Sequence, residues 1–291
     1  MSPHDELLAA ASAGDLATIH LALQNGESPD AASSTGSTLL MRASHGGFES
    51  IVKVLLQARA DASLRDSTYG TSALMLASAS GHVTCLDLLL SQAADVSKQD
   101  MEGRSALLYA ARRGHSTCVA RLLAAWSANA VGHGDPSLVD MADETGLTAL
   151  MGSAQSNNVD CMRELLSAGA TLEARDHLGM TALHAACRAG SLEACNELLR
   201  IGARVDVVDD DGLDPFDHCD PTSANYDDLC AILHSAHTLQ SVLGAPTVEV
   251  LNARHSSLGA VDLPGEDVED DQWDGCSFKS YDSQQDDRPW H

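Results

Sequence analysis

Large rings are scarce in this chain: aromatic residues make up 3% of 291 positions, against 44% hydrophobic residues in total. That excludes a core built on Phe, Tyr and Trp and suits close stacking of helices on alanine and leucine. Bases are also few, 17 against 42 acids, for a formal net charge of −25. Residues 235–291 hold 11 acids and 3 bases, which leaves 42 − 11 = 31 acids and 17 − 3 = 14 bases for residues 1–234. Nets of −17 and −8 exclude nucleic acid and anionic membrane surfaces as partners, so the expected partner is a protein. No run of about 18 apolar residues occurs, which excludes a membrane-spanning helix and membrane insertion. None of the eight cysteines forms a Cys-x-x-Cys pair, so zinc is not expected and the thiols read as buried and structural. The chain also lacks a P-loop, a dinucleotide fingerprint and a His-Glu-x-x-His motif; no catalytic residue, metal or cofactor is expected. The opening Met1-Ser2-Pro3-His4-Asp5-Glu6 carries acids where a secretory signal carries bases, so the expected location is cytoplasmic or nuclear, where thiols stay reduced.

What is abundant is repetition. A Gly-x-[Thr/Ser]-x-Leu start recurs at Gly70, Gly103, Gly146 and Gly179, with Gly36 before and Gly212 after; the anchor glycines are 34, 33, 43, 33 and 33 residues apart. A period of this size means stacked supersecondary units, each too small to bury its own apolar face. Glycine permits a positive φ in the turn entering a helix, and the following Thr or Ser hydroxyl caps that helix. Gly47, Gly81, Gly114 and Gly190 fall eleven residues after their anchors, where the first helix must stop. The pairs Leu55-Leu56, Leu89-Leu90, Leu122-Leu123, Leu165-Leu166 and Leu198-Leu199 supply the buried face of a second helix.

The repeat resembles the ankyrin family. The likeness is densest in Asp176-His177-Leu178-Gly179-Met180-Thr181-Ala182-Leu183-His184-Ala185-Ala186-Cys187-Arg188-Ala189-Gly190, where the family's Thr-Pro-Leu-His-x-Ala signature survives with Ala182 in place of proline. The resemblance implies an all-α repeat solenoid of about seven helix-turn-helix units joined by hairpin loops. The expected units are 4–33, 34–66, 67–99, 100–142, 143–175, 176–208 and 209–234, followed by an acidic, largely disordered tail over 235–291, of which residues 235–243 extend the last helix. The seventh unit has a first helix studded with acids. Asn157-Asn158 replaces the usual Gly-His of the fifth unit, and the 43-residue spacing places an inserted loop at Val131–Asp140. Gly152 in a first helix, with the two asparagines, makes the fifth unit the expected soft joint.

Cys85, Cys118 and Cys161 occupy one position in successive units, and Cys276 in the tail is the thiol expected to be reactive. By the resemblance, His82, His115 and His184 are structural, bonding turn backbone.

Partner contacts in ankyrin proteins fall on hairpin tips and on the exposed side of the first helix. The corresponding positions include Tyr69, Arg104, Arg112, Arg113, Leu147, Leu178, Met180 and Arg188. Four arginines beside exposed Tyr69, Leu147, Leu178 and Met180 predict a groove in units four to six that takes an acidic or amphipathic protein segment. Arg112 and Arg113 equally suit a solvated helix end favoured by the helix dipole. Two functions follow: a noncatalytic adaptor, scaffold or inhibitor, or the substrate-recognition subunit of an enzyme complex such as a ubiquitin ligase or phosphatase. Outside its complex the chain is expected to be a monomer. In the tail, Trp273 and Asp274 sit in an acidic run that resembles the tryptophan-acidic peptides bound by kinesin light chains.

Overall fold

The computed structural model describes residues 3–92, 94–129 and 138–243. Among them are thirteen helices and no strand. In chain order these are α1 (Pro3–Ala13), α2 (Leu16–Gln24), α3 (Leu39–His45), α4 (Glu49–Gln57), α5 (Ala73–Ser80), α6 (Val83–Ser91), α7 (Ala106–Arg113), α8 (Ser116–Asn129), α9 (Ala149–Gln155), α10 (Val159–Ser167), α11 (Ala182–Arg188), α12 (Leu192–Ile201) and α13 (Tyr226–Leu243). Each pair is a helical hairpin. The first helices α1, α3, α5, α7, α9 and α11 pack side by side in one layer, and α2, α4, α6, α8, α10, α12 and α13 form the other.

The helix starts are chemically alike. The hydroxyls of Thr38, Ser72, Ser105 and Thr148 accept from the N–H groups of Met41, Met75, Leu108 and Met151 at 3.2 to 3.4 Å, each satisfying a donor that the helix leaves unpaired. Between the layers lies one continuous core containing Leu55, Leu89, Leu122, Leu165 and Leu198, all essentially inaccessible to water. Burial of a leucine side chain stabilises by roughly 1.5–3 kcal/mol, and because the row crosses every unit, no hairpin can keep that gain alone.

Helix reversals also repeat. Gly81 and Gly114 close α5 and α7 in the left-handed conformation. In the fifth unit Asn157 takes that role at φ 57°. Asn158 then stands in for histidine: its Nδ2 donates to Ala111 O and Arg112 O at 3.0 Å, as His82 and His115 reach His45 O and Ala79 O at 3.0 and 3.1 Å.

Two expectations are corrected here. The seventh unit has no first helix. Asp214 accepts from Phe216 N and Asp217 N, and Asp217 accepts from Asp214 N, which caps the start of a helix, but only three-residue turn bonds follow, from Asp217 N to Asp214 O and from Cys219 N to Phe216 O, and Pro221 bars continuation through the next turn. The inserted stretch begins inside a helix: α8 runs fourteen residues where α6 and α10 run nine, and Trp126 packs on the core. Leu138 and Val139, expected in the loop, are buried; Val139 occupies the register of Val96, each four residues before a turn aspartate, Asp143 and Asp100. Residues 131–137 of that loop, and the tail from 244, including Trp273, Asp274 and Cys276, lie outside the described residues. The last helix does continue beyond 234, to Leu243.

Candidate partner-binding groove

Five of the six hairpin loops are organised by an aspartate three or four residues before the anchor glycine, and in the first, at Gly36, Ser33 takes that place and accepts from Ser37 N at 3.1 Å. Asp66, Asp100, Asp143, Asp176 and Asp209 each draw back the N–H of the residue after the glycine, namely Thr71, Arg104, Leu147, Met180 and Leu213, at 2.9 to 3.0 Å. Neighbouring loops are laced together through backbone bonds of 2.8 to 3.0 Å: Ser67 N to Thr35 O, Met101 N to Tyr69 O, Glu144 N to Glu102 O, His177 N to Thr145 O, and Asp210 N to Leu178 O. The tips therefore form a continuous rim. The aspartates recur in the sequence three or four residues before their glycines; that period was a readable signal for the loop hub, and the glycine pattern overshadowed it.

This geometry sorts the candidate residues. Leu178 is exposed at 52%, and Leu147 and Tyr69 are half-buried. Met180 is not exposed: it is buried at 4%, because Asp176 pulls the residue after the glycine towards the loop base. Its sulfur instead supports Arg188, whose Nη1 lies 3.7 Å away. Arg104 is drawn in by the same device. Its Nε meets Asp100 at 2.9 Å, its Nη1 meets Glu102 at 3.0 Å, and its side chain is 13% exposed. The guanidinium also lies over the Tyr109 ring at 5.2 Å. Tyr109 donates to Asp100 at 2.7 Å, and burial together with that bond raises its phenol well above the ordinary range. Arg104 is thus a loop brace, already neutralised.

The remaining arginines lie on inner helices. Arg113 and Arg188 are exposed at the ends of α7 and α11. Arg112 is half-buried, and its chain crosses α9 at Gly152: a Cβ there would sit 2.6 Å from Arg112 Cγ. Gly152 is therefore a place of close approach. Arg42 extends the row on α3, with Nη1 3.3 Å from Ser12 Oγ and Nε buried without a hydrogen-bond partner among the described residues.

A pattern missed in the sequence becomes plain once the layers are known. Helices α3, α5, α7, α9 and α11 contain Arg42, Arg112, Arg113 and Arg188 and not one aspartate or glutamate. Acids crowd the rim, with Glu102, Glu144 and Asp211 exposed, and the outer layer. There, Glu197 accepts from Arg163 at 2.8 Å and from Arg200 at 2.9 Å. The bonds from Arg200 and Arg163 outweigh burial and hold the Glu197 carboxyl down at about 2. From α3 to α11 the inner face is an acid-free, arginine-bearing strip; α1, at the end of the layer, carries Asp5 and Glu6.

Other polar clusters are accounted for by packing. His184 accepts the Thr181 N–H at Nδ1, 3.1 Å away, and lies 3.4 Å through Nε2 from Leu213 O; His218 meets Asp209 at 2.8 Å. The Cys187 and Cys195 sulfurs are 3.7 Å apart and buried. Among the described residues no group of three or more His, Cys, Asp or Glu side chains is arranged to hold a metal, and no helix is long and apolar enough to cross a membrane.

Comparison with known proteins agrees with this architecture. The profile for ankyrin repeats (three copies) matches residues 7–100, 95–176 and 129–211. Among solved structures, the chain is similar to the crystal structure of the human ASB11 ankyrin repeat domain, with a TM-score of 0.67 and 27% identity over 79% of this chain and 97% of that one. Among curated proteins no match is found.

Proposed function

Because this chain belongs to the ankyrin repeat family, whose repeats make protein–protein interaction modules, we propose that it is a noncatalytic adaptor, scaffold or inhibitor that holds an acidic or amphipathic protein segment against α7, α9 and α11. The observation that carries this is the charge of the inner face: four arginines and no acid on five helices, in a protein with a net charge of −25. Arg113 and Arg188 supply forked donors suited to carboxylates. Leu178 supplies an apolar contact on the rim, and half-buried Leu147 and Tyr69 line its base. Arg104 acts through the loop it braces, and Met180 acts through Arg188.

Quantitative affinity purification tests the proposal, using the full chain and a full chain carrying Arg113→Glu and Arg188→Glu. Specific proteins recovered by the first bait and lost by the second are the expected outcome. Undiminished recovery of the same proteins would place the function elsewhere.

A further inference from the structure

We propose that the acidic segment 262–274 of this same chain is an occupant of the inner arginine strip, so that the protein carries a built-in competitor for its partner. The inference rests on the groove assignment above and adds its regulation.

The first ground is where the cations find their counterions. On the outer layer and loops most are met within the fold, Lys98 by Asp95, Arg121 by Asp87, Arg163 and Arg200 by Glu197, and Arg204 by Asp206, while Lys53, Arg59 and Arg175 stand exposed and scattered over separate units. On the inner layer, no carboxylate among the described residues lies within ion-pair distance of Arg113 or Arg188. Nor can their own helices supply one, since neither α7 nor α11 holds an acid. Arg113 and Arg188 are open to a carboxylate from outside the repeat array.

The second ground is the composition of the tail. From Asp262 to Asp274 it holds seven acids, no base, and the apolar residues Leu263, Val268 and Trp273. This is the chemistry the groove is argued to accept: carboxylates for the two arginines, and apolar side chains for the floor around Leu147. The acidic rim, Glu102, Glu144 and Asp211, repels such a segment, so attraction is confined to the inner helices. Screening over about 8 Å at physiological salt keeps the two fields distinct.

The third ground is reach. Helix α13 ends at Leu243, and residues 244–261 separate it from the acidic run. A coil of that length spans about 25 Å on average and about 60 Å when extended. Helix α11 belongs to the neighbouring unit, and α7 lies two inner helices further on, about 20 Å away at the usual helix spacing. Tethering supplies an effective concentration on the order of millimolar, so a contact too weak to capture a free peptide still fills the strip in cis. An incoming partner must displace it.

The full chain labelled with 5-fluorotryptophan tests this by fluorine NMR, with the Trp273 resonance assigned from Trp273→Phe. Occupancy predicts a Trp273 shift distinct from that of a synthetic 260–291 peptide, and its return to the peptide value in the Arg113→Glu, Arg188→Glu protein. A Trp273 signal at the peptide position in the unaltered chain, unmoved by the reversals, overturns the proposal. A second variant leaves the groove untouched and guards against a reversal that fails to fold: every Asp and Glu of 262–274 changed to Asn or Gln. Faster amide exchange at the exposed ends of α7 and α11 in that variant supports occupancy; identical exchange overturns it. Failure here is distinguishable from failure of the groove itself, because arginine-dependent partners that are recovered equally with and without the tail acids leave the groove standing and only the competitor rejected.

Discussion

Glu197 is the residue whose surroundings make the sharpest statement about stability. Its side chain is 6% exposed and braces Arg163 of α10 to Arg200 of its own helix, so it bonds one unit to the next. Its folded-state pKa, about 2, lies below the ordinary 4.5. The stabilisation is therefore present above pH 4.5 and is lost as the pH falls from there towards 2. Because both arginines are substantially exposed, screening reduces its worth to about 1–2 kcal/mol. Glu197→Gln is expected to lower the urea midpoint at pH 7 and to flatten the acid limb of the stability curve; midpoints that fall in parallel for both proteins down to pH 3 would show that the brace carries no net energy. His184 acts with the same sign at higher pH. Burial and neighbouring His218 depress its pKa below 6.5, and its Nδ1 must stay unprotonated to accept from Thr181. That contribution is full above pH 6.5 and is lost as the pH drops below it.

Asn157 combines two roles that a sequence shows only singly. It adopts the positive φ of a helix-stop glycine, and its Oδ1 accepts from Ala194 N at 2.9 Å, tying the turn to α12 of the next unit. Asn157→Ala is expected to cost about 1–2 kcal/mol through backbone strain and the lost tie, whereas Asn157→Gly removes only the tie and should cost less. Equal losses by denaturant titration would show that the conformation is not limiting.

At the scale of elements, most of the fold was legible. The anchor glycines, hydroxyl caps and leucine pairs each mark a physical necessity of the hairpin and recur at the same offsets. The failures have a common cause: charge pairing and side-chain direction inside a loop are not periodic. Nothing in the string Gly103-Arg104 says that Arg104 will turn onto Asp100 and Glu102, and Gly179-Met180 looks as exposed as Leu178 until the aspartate hub is known. The seventh unit keeps a capped turn at Asp214 and Asp217 but no first helix, because Pro221 stops it.

The fifth unit interrupts one row of side-chain bonds. Arg65 bonds to Gly70 O and to Gln99 O of the next unit, and Gln99 reaches Ala142 O at 2.7 Å; the methyl of Ala142 offers no donor to continue the row. Amide exchange is expected to be faster across 146–166 than across 179–201, and uniform protection would remove the soft joint. Gly152→Ala sharpens the point. Its Cβ meets the flexible Arg112 chain and Leu108 Cδ1 at 3.1 Å, so a helix-propensity gain of about 1 kcal/mol offsets the crowding. Stability should change little while Arg112 is displaced, with partner recovery altered; a large loss of stability would mean that α9 cannot yield.

The molecule as a whole carries two opposed charge patterns, an acidic exterior and, from α3 to α11, an inner strip of helices without acids. On the proposed reading, the part of partner binding that responds to added salt should differ between the unaltered chain and the Arg113→Glu, Arg188→Glu protein, and identical salt dependence would count against a role for the two arginines.

The most direct measurement is site-specific photo-cross-linking in cells from four exposed positions of the full chain. Ser156 and Ala189 follow the inner helices α9 and α11, while Arg121 and Glu164 lie on the outer helices α8 and α10. Cross-links are expected from Ser156 and Ala189 to an acidic protein segment, reduced by Arg113→Glu with Arg188→Glu, and none to that segment from Arg121 or Glu164. Cross-links to partners from the outer positions alone, or from the inner positions to basic segments, would contradict the groove assignment.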